Sequence, residues 1–320
     1  MITLLSHITM GNPLKLSIVI PAYNEEDNIE PLLEKLSSVV TTVDFPIEVV
    51  IVDDGSTDNT LAVAQRCATR YNFVKVISQP HMGLTPALIR GFEASTGDVF
   101  MFLPADLQVM PDEIPKFMSL INSGYDIVCA WYHPIKPPPF TKSLASKIYN
   151  ALSRKMFGIT VHHMNSAKAI RRTVMENIPL RPDWHRYIVA IAHTYGYKVG
   201  EVKVNLYPRH SGKSKFGFWR IPIGMLDLIA VKLQLKFLRK PLLFFGLWGG
   251  ISLLIGIIIG IVALYMRFIL HHGLRVLAYP TILFTLAGLI LITIGIFGEL
   301  TAGLRDELRV LMRKLDRLTK

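Results

Sequence analysis

Cysteine is almost missing from this sequence: its 320 residues hold two, Cys67 and Cys129, in separate segments. A disulfide framework is thereby excluded, and the pattern fits a reducing compartment. Acidic side chains are also in deficit. Asp and Glu number 24 against 35 Lys and Arg, for a formal net charge of +11. The amino terminus lacks the basic start, long apolar core and small-residue cleavage site of a secretory signal, and residues 1–14 read as a loose extension. Charge is missing altogether from two long stretches, between Lys240 and Arg267 and between Arg275 and Glu299.

Those stretches help raise the hydrophobic share to 51% and the mean hydropathy to +0.37. About 20 apolar residues suffice to cross a bilayer. Residues 241–266 and 276–299 are therefore expected to be transmembrane helices; two buried core helices are the competing reading. Nucleic acid is the reflex partner for so basic a chain, but membrane lipids explain the charge better, and no nucleic acid is expected. Lys232, Lys236, Arg239 and Lys240 lead into the first stretch, and Arg305, Arg309, Arg313, Lys314, Arg317 and Lys320 follow the second. The connection carries only Arg267 and Arg275. The positive-inside rule then puts the large amino-terminal domain and both termini in the cytoplasm. The flanks also attract anionic head groups.

Before Lys240 the periodicity alternates. Buried-strand patterns at Leu16–Pro21, Ile47–Val52, Val74–Ser78, Val99–Leu103 and Asp126–Ala130 are separated by helical spacing at Glu26–Val40, Asp58–Tyr71, Thr85–Ser95 and Pro111–Ile121. Helices are further expected at Lys142–Phe157 and Tyr187–Tyr195, and a strand at Lys198–Leu206. Continuous apolar strands between helices predict an α/β domain with a mostly parallel, Rossmann-like sheet covered on both faces. Ligands of such sheets bind beyond the carboxyl ends of the strands. Trp131–Phe140, rich in proline, reads as a loop, either a linker or a gate. Residues 219–240 suggest amphipathic helices at the membrane surface. Within 302–320, Leu304, Leu308, Leu311, Leu315 and Leu318 form a short heptad seam. It suits a helix lying on the bilayer or on its own domain, or self-association as a dimer or tetramer.

Chemistry gathers where strands end. Pro21-Ala22-Tyr23-Asn24-Glu25-Glu26 follows the first, and Asp53-Asp54-Gly55-Ser56-Thr57-Asp58 the second. The latter reads as a tight turn capped by Thr57 or Asp58, or as acids that accept hydrogen bonds from a base or a ribose. In Leu103-Pro104-Ala105-Asp106-Leu107-Gln108, the Asp106 carboxylate and the Gln108 amide oxygen can share a hard divalent cation whose remaining sites go to water and substrate phosphates. Arg209-His210-Ser211-Gly212-Lys213-Ser214-Lys215 is a basic loop fit for phosphate oxygens. His162-His163 suggests zinc, without a third ligand at a recognisable spacing. In Asp183-Trp184-His185-Arg186-Tyr187, Asp183 and His185 suit either a substrate contact or the cap of the next helix.

The series VIPAYNEE, VDDGSTDNT, ADLQ and RHSGKSKFG, with paired spans behind it, resembles the polyprenyl-phosphate sugar transferases. These are inverting family-2 glycosyltransferases similar to dolichol-phosphate mannose synthase, and their fold is GT-A. The resemblance covers roughly residues 15–240 and implies a catalytic domain over 15–218, with a carboxyl-terminal helical transmembrane hairpin. It implies a nucleotide-sugar donor, UDP- or GDP-linked, around Pro21, Tyr23, Glu25, Val52, Asp54, Ala105, Asp106 and Gln108. It further implies Mg2+ or Mn2+ at Asp106 and Gln108, and a polyprenyl or dolichyl phosphate acceptor at Arg209, Ser214, Lys215 and His185. Asp106, Arg209 and Lys215 would carry catalysis. The sequence departs from the family in having Pro104 where an acid is usual, and Trp131-Tyr132-His133 where an arginine is common. A non-catalytic nucleotide-sugar or lipid scaffold and a polymerising family-2 transferase are the alternatives; the latter's Gln-x-x-Arg-Trp motif is absent.

Overall fold

The computed structural model describes residues 13–135, 140–178, 184–211, 226–233, 240–270 and 275–318. They fall into two compact units, Met1–Met225 and Leu226–Lys320.

In the first unit, β1 (Leu16–Ala22), β2 (Ile47–Asp54), β3 (Val74–Gln79), β4 (Val99–Phe102), β5 (Ile127–Pro134), β6 (Lys168–Arg171) and β7 (Val199–Leu206) form one sheet. Its order is β3-β2-β1-β4-β6-β5-β7. All neighbours are parallel except β6, which runs antiparallel to both β4 and β5. Both sheet faces are covered, as the apolar strands require. Ile18, Ile20 and Ile51 share a core with Ile29, Leu32 and Leu36 of α1 (Glu26–Thr42), Cys67 of α2 (Thr60–Arg70) and Phe117 of α4 (Ile114–Asn122). Val19 and Val52 face the other way, toward Gly91 of α3 (Leu84–Glu93). The remaining helices of this unit are α5 (Phe140–Phe157), α6 (Arg172–Asn177) and α7 (Ile188–Thr194).

Two expectations need correction. The strand expected over Asp126–Ala130 continues to Pro134, because Trp131–Pro134 pair residue by residue with Lys203–Leu206 of β7. Only residues 136–139 of the expected proline-rich loop lie outside the described residues. The cap of α2 is Asn59, with no side-chain cap hydrogen bond, although Asp58 Oδ1 does accept from the Thr60 amide at 3.0 Å. The tail, expected to be helical, runs on from the second apolar stretch in one helix to Leu318.

In the second unit, residues 226–233 are helical. α8 (Pro241–Phe268) and α9 (Arg275–Leu318) pack together as a hairpin. Each holds a segment long and apolar enough to cross a membrane, Pro241–Phe268 and Val276–Leu304. Only 17% and 11% of their most apolar windows are buried, which sets aside the reading as core helices of a soluble domain. Glycines bring the two backbones together: a Cβ at Gly256 would meet Thr285 N at 2.9 Å, and one at Gly288 would meet Gly249 O at 2.8 Å. Small residues at such crossings are what membrane helices use to approach closely. Ser252 Oγ also donates to Phe284 O at 2.8 Å.

Candidate active site

The carboxyl ends of β1 and β4 open into a cleft of about 470 Å³. Pro21 and Glu25 line it from the end of β1, Ala105, Asp106 and Gln108 from the loop after β4, and His185 and Arg209 from later in the chain. Seven residues singled out in the sequence thus share one cavity across 188 positions of chain, from Pro21 to Arg209.

The loop after β4 is held by the segment after β7. Tyr207 N–H donates to Gln108 O at 3.0 Å, and His210 N–H to Asp106 O at 3.3 Å. Between these tethers Arg209 Nη2 meets Asp106 Oδ2 at 2.9 Å. Asp106 Oδ1 accepts from the Gln108 amide at 3.2 Å. Leu107 sits in the left-handed region at φ 57. That conformation is costly for a bulky side chain and persists only where the surroundings enforce it. Here burial of the Leu107 side chain and the two tethers enforce it. Burial pushes the Asp106 carboxyl up from its ordinary range, against the opposing pull of the Gln108 amide and Arg209.

The acidic motif after β2 braces a neighbouring turn. Asp54 Oδ1 accepts from Gln79 Nε2 at 2.7 Å and from the Met82 amide at 2.9 Å. Its Oδ2 accepts from the Gly83 amide at 2.9 Å and lies 2.9 Å from His81 Nδ1. The carboxylate therefore ties down the turn that starts α3, and Asp54 is not among the residues lining the cleft. Gly55, at φ +69, makes room for this turn: a Cβ there would meet His81 N at 2.6 Å. Tyr23 stacks on His81 at 4.1 Å between ring centroids. The Val52 side chain is fully buried against α3, so only its backbone is available to a ligand at the end of β2.

His185 is buried, with Nδ1 2.7 Å from Thr85 Oγ1. Ser211 Oγ donates to Asp27 Oδ2 at 2.9 Å, joining the start of the basic loop to α1. Ser214 and Lys215, together with Asp183, lie outside the described residues.

The adjacent histidines make other contacts. Among the described residues no group of three metal-binding side chains occurs. His162 instead pairs with Glu201 at 2.7 Å and stacks flat on Trp131 at 4.0 Å, while His163 Nδ1 accepts from the Tyr132 amide at 3.4 Å. Sequence reasoning missed Tyr132 and Arg186, both in the cleft wall. Burial drives the Tyr132 phenol far up, and its oxygen accepts from the Ala167 amide at 2.8 Å.

Comparison with known proteins agrees with this geometry. The chain matches the model of glycosyl transferase family 2 over residues 17–178. It is 30% identical over 300 residues to the dodecaprenyl-phosphate galacturonate synthase of Rhizobium johnstonii, a match spanning 90% of this chain and 88% of that one. It is also 30% identical over 306 residues to the undecaprenyl-phosphate 4-deoxy-4-formamido-L-arabinose transferase of Pseudomonas syringae, across 93% and 88% of the two chains. Among solved structures, the Mycobacterium tuberculosis glucosyl-3-phosphoglycerate synthase, in complex with Mn2+, uridine-diphosphate and glucosyl-3-phosphoglycerate, superposes with a TM-score of 0.53 at 22% identity, over 69% of this chain and 80% of that one. The shared architecture is the GT-A fold expected from the sequence.

Proposed function

The chain belongs to glycosyl transferase family 2, and on that premise we propose that it moves a hexose from a UDP- or GDP-linked donor to a polyprenyl or dolichyl phosphate, with inversion. The observation that carries this reading is the Asp106–Arg209 pair, held in the cleft between two backbone tethers. A carboxylate beside a guanidinium can receive a diphosphate and its cation together. The two apolar helices suit an acceptor that lives in the bilayer, and the relatives named above act on dodecaprenyl and undecaprenyl phosphate.

The reaction is a single displacement. An acceptor phosphate oxygen bonds to the anomeric carbon, the bond to the donor's diphosphate breaks, and its electron pair leaves with the nucleoside diphosphate. The acceptor oxygen is already anionic near neutral pH, so no strong general base is needed. Positioning and charge neutralisation do most of the work. Pro21, Tyr23, Glu25 and Asp54 form or brace the nucleotide side. Arg209 and His185 face the phosphates, joined by Ser214 and Lys215.

Asp106 and Gln108 offer one carboxylate and one amide, too few to cage a cation alone but suited to Mg2+ or Mn2+ that also binds donor phosphates. When bound there, such an ion would supply positive charge against the charge growing on the leaving diphosphate. The Mn2+ complex of the fold neighbour supports a divalent ion. We place the catalytic unit and both termini in the cytoplasm, on the basic flanks of the two apolar stretches.

The test is direct. Purified full-length protein, undecaprenyl phosphate, Mn2+ and a panel of nucleotide sugars should yield a lipid-linked sugar. Asp106→Asn should lose about 100-fold or more in rate. The absence of product with every donor would refute the reading.

A further inference from the structure

Besides the Tyr132 phenol, five described residues lining the cleft carry acidic or basic side chains: Glu25, Asp106, His185, Arg186 and Arg209. Four of them are engaged. Glu25 accepts from Asn28 Nδ2, Asp106 pairs with Arg209, and His185 meets Thr85. Arg186 differs. Its Nε is buried and has no hydrogen-bond partner. Among the described residues no carboxylate lies within ion-pairing distance of its guanidinium.

A buried donor on a permanent cation is expensive to leave unmade. The side chain is also held in place, because its neighbours His185 and Tyr187 are both buried, fixing the turn that presents it. The unmatched edge carries Nε, and Nε together with one Nη is a fork that grips two oxygens of a single phosphate.

We propose that Arg186 receives the phosphate of the lipid acceptor and holds it beside the donor sugar, an inference that rests on transfer to a polyprenyl phosphate. Charge favours the acceptor over the donor as its ligand. Arg209, expected from the resemblance at the acceptor phosphate, is held on Asp106 and so stands with the Asp106–Gln108 loop on the side of the donor diphosphate. A second phosphate brought next to that diphosphate needs a cation not already matched by a carboxylate. Arg186 is that cation among the described residues of the cleft. It makes no covalent bond.

The experiment uses the full chain in detergent with farnesyl monophosphate as the acceptor probe, and UDP and GDP, each with Mn2+, as donor-side probes. Arg186→Gln should weaken farnesyl phosphate binding about ten- to a hundredfold. It should leave the nucleotide that binds the wild type within about twofold, the scatter of a surface change. Arg186→Lys, which keeps the charge without the fork, should recover part of the loss, and both variants should melt as cooperatively as the wild type. Unchanged farnesyl phosphate affinity in Arg186→Gln overturns the proposal. So does a loss that falls on the nucleotide instead, which would make Arg186 a donor contact. A wild type that binds nucleotide but no prenyl phosphate sinks the acceptor reading itself, and that outcome is visible before any variant is made.

Discussion

Lys168 makes a sharp prediction about stability. It lies on β6 opposite Phe102 of β4 and Cys129 of β5, and is 3% exposed. Its side chain borders a cavity of about 10 Å³ walled by Leu88, Phe100, Met175 and Ile188. A void that small barely admits one water, and among the described residues no carboxylate pairs with the ammonium. Burial lowers the ammonium pKa from 10.5 to about 8, weakly opposed by Cys129. The folded protein thus gives up this proton before the unfolded chain does. Below pH 8 the buried charge costs stability; between about 8 and 10.5 the cost is relieved as pH rises. The shift corresponds to about 3 kcal/mol, an upper figure because relaxation and water entry soften it. Lys168→Met keeps the stem's volume and removes the charge. It should raise the melting temperature of the full chain in detergent at pH 7 by about 5–10 °C. The gain should shrink steadily toward pH 10.5. A Lys168→Met protein that melts no higher than wild type at pH 7, or whose advantage is the same at pH 7 and pH 10.5, refutes the reasoning.

Two further outcomes follow from close approaches. Gly55→Ala should free the turn at 80–83 from Asp54, since its Cβ would strike His81 N at 2.6 Å in a backbone conformation alanine avoids; a loss of about 1–3 kcal/mol in thermal or urea unfolding is expected, together with weakened nucleotide binding. Gly256→Leu should part α8 from α9, because even a Cβ would sit 2.9 Å from Thr285 N; distance measurements between spin labels near residues 252 and 289 in vesicles should lengthen, and unchanged distances would contradict the packing.

What the sequence made legible tracks the range of the forces involved. The alternation of strands and helices is a local signal, and β1 to β4 with α1 to α4 were readable from it. β6 was not: Lys168–Arg171 is four residues long with a charge at each end, and only pairing with β4 and β5 makes it a strand. Pro134 suggested a loop because proline removes a ladder donor, yet at the end of β5 that loss is tolerated. Strand-end motifs located Asp106 and Arg209, but their 2.9 Å contact joins residues 103 positions apart, which no local pattern reveals. Asp54 shows the same limit: the partners of its carboxylate, Gln79, His81, Met82 and Gly83, lie at the end of β3 and on the turn after it, which its own motif does not announce. His162 and His163 looked like half a zinc site until Glu201 of β7 and Trp131 of β5 accounted for His162.

The pairing of Asp106 with Arg209 has a consequence for the order of binding. With Pro104 in place of an acid, the loop after β4 offers a cation one carboxylate, and that carboxylate already faces a guanidinium. A bare divalent ion meets a site with little net negative charge and should bind poorly. A nucleoside diphosphate changes both terms. Its oxygens draw Arg209 toward themselves, releasing Asp106 Oδ2, and they supply ligands the protein lacks. Metal and nucleotide should therefore each strengthen the other by the same factor, about tenfold or more for a coupling above 1.4 kcal/mol. Manganese titration followed by electron paramagnetic resonance, with and without UDP or GDP, measures that factor. Arg209→Ala leaves Asp106 unmatched, so it should tighten nucleotide-free Mn2+ binding while weakening the nucleotide, and the coupling should shrink. Equal Mn2+ affinity with and without nucleotide in the wild type would show that the ion is held by ligands other than Asp106, Gln108 and the donor's phosphates.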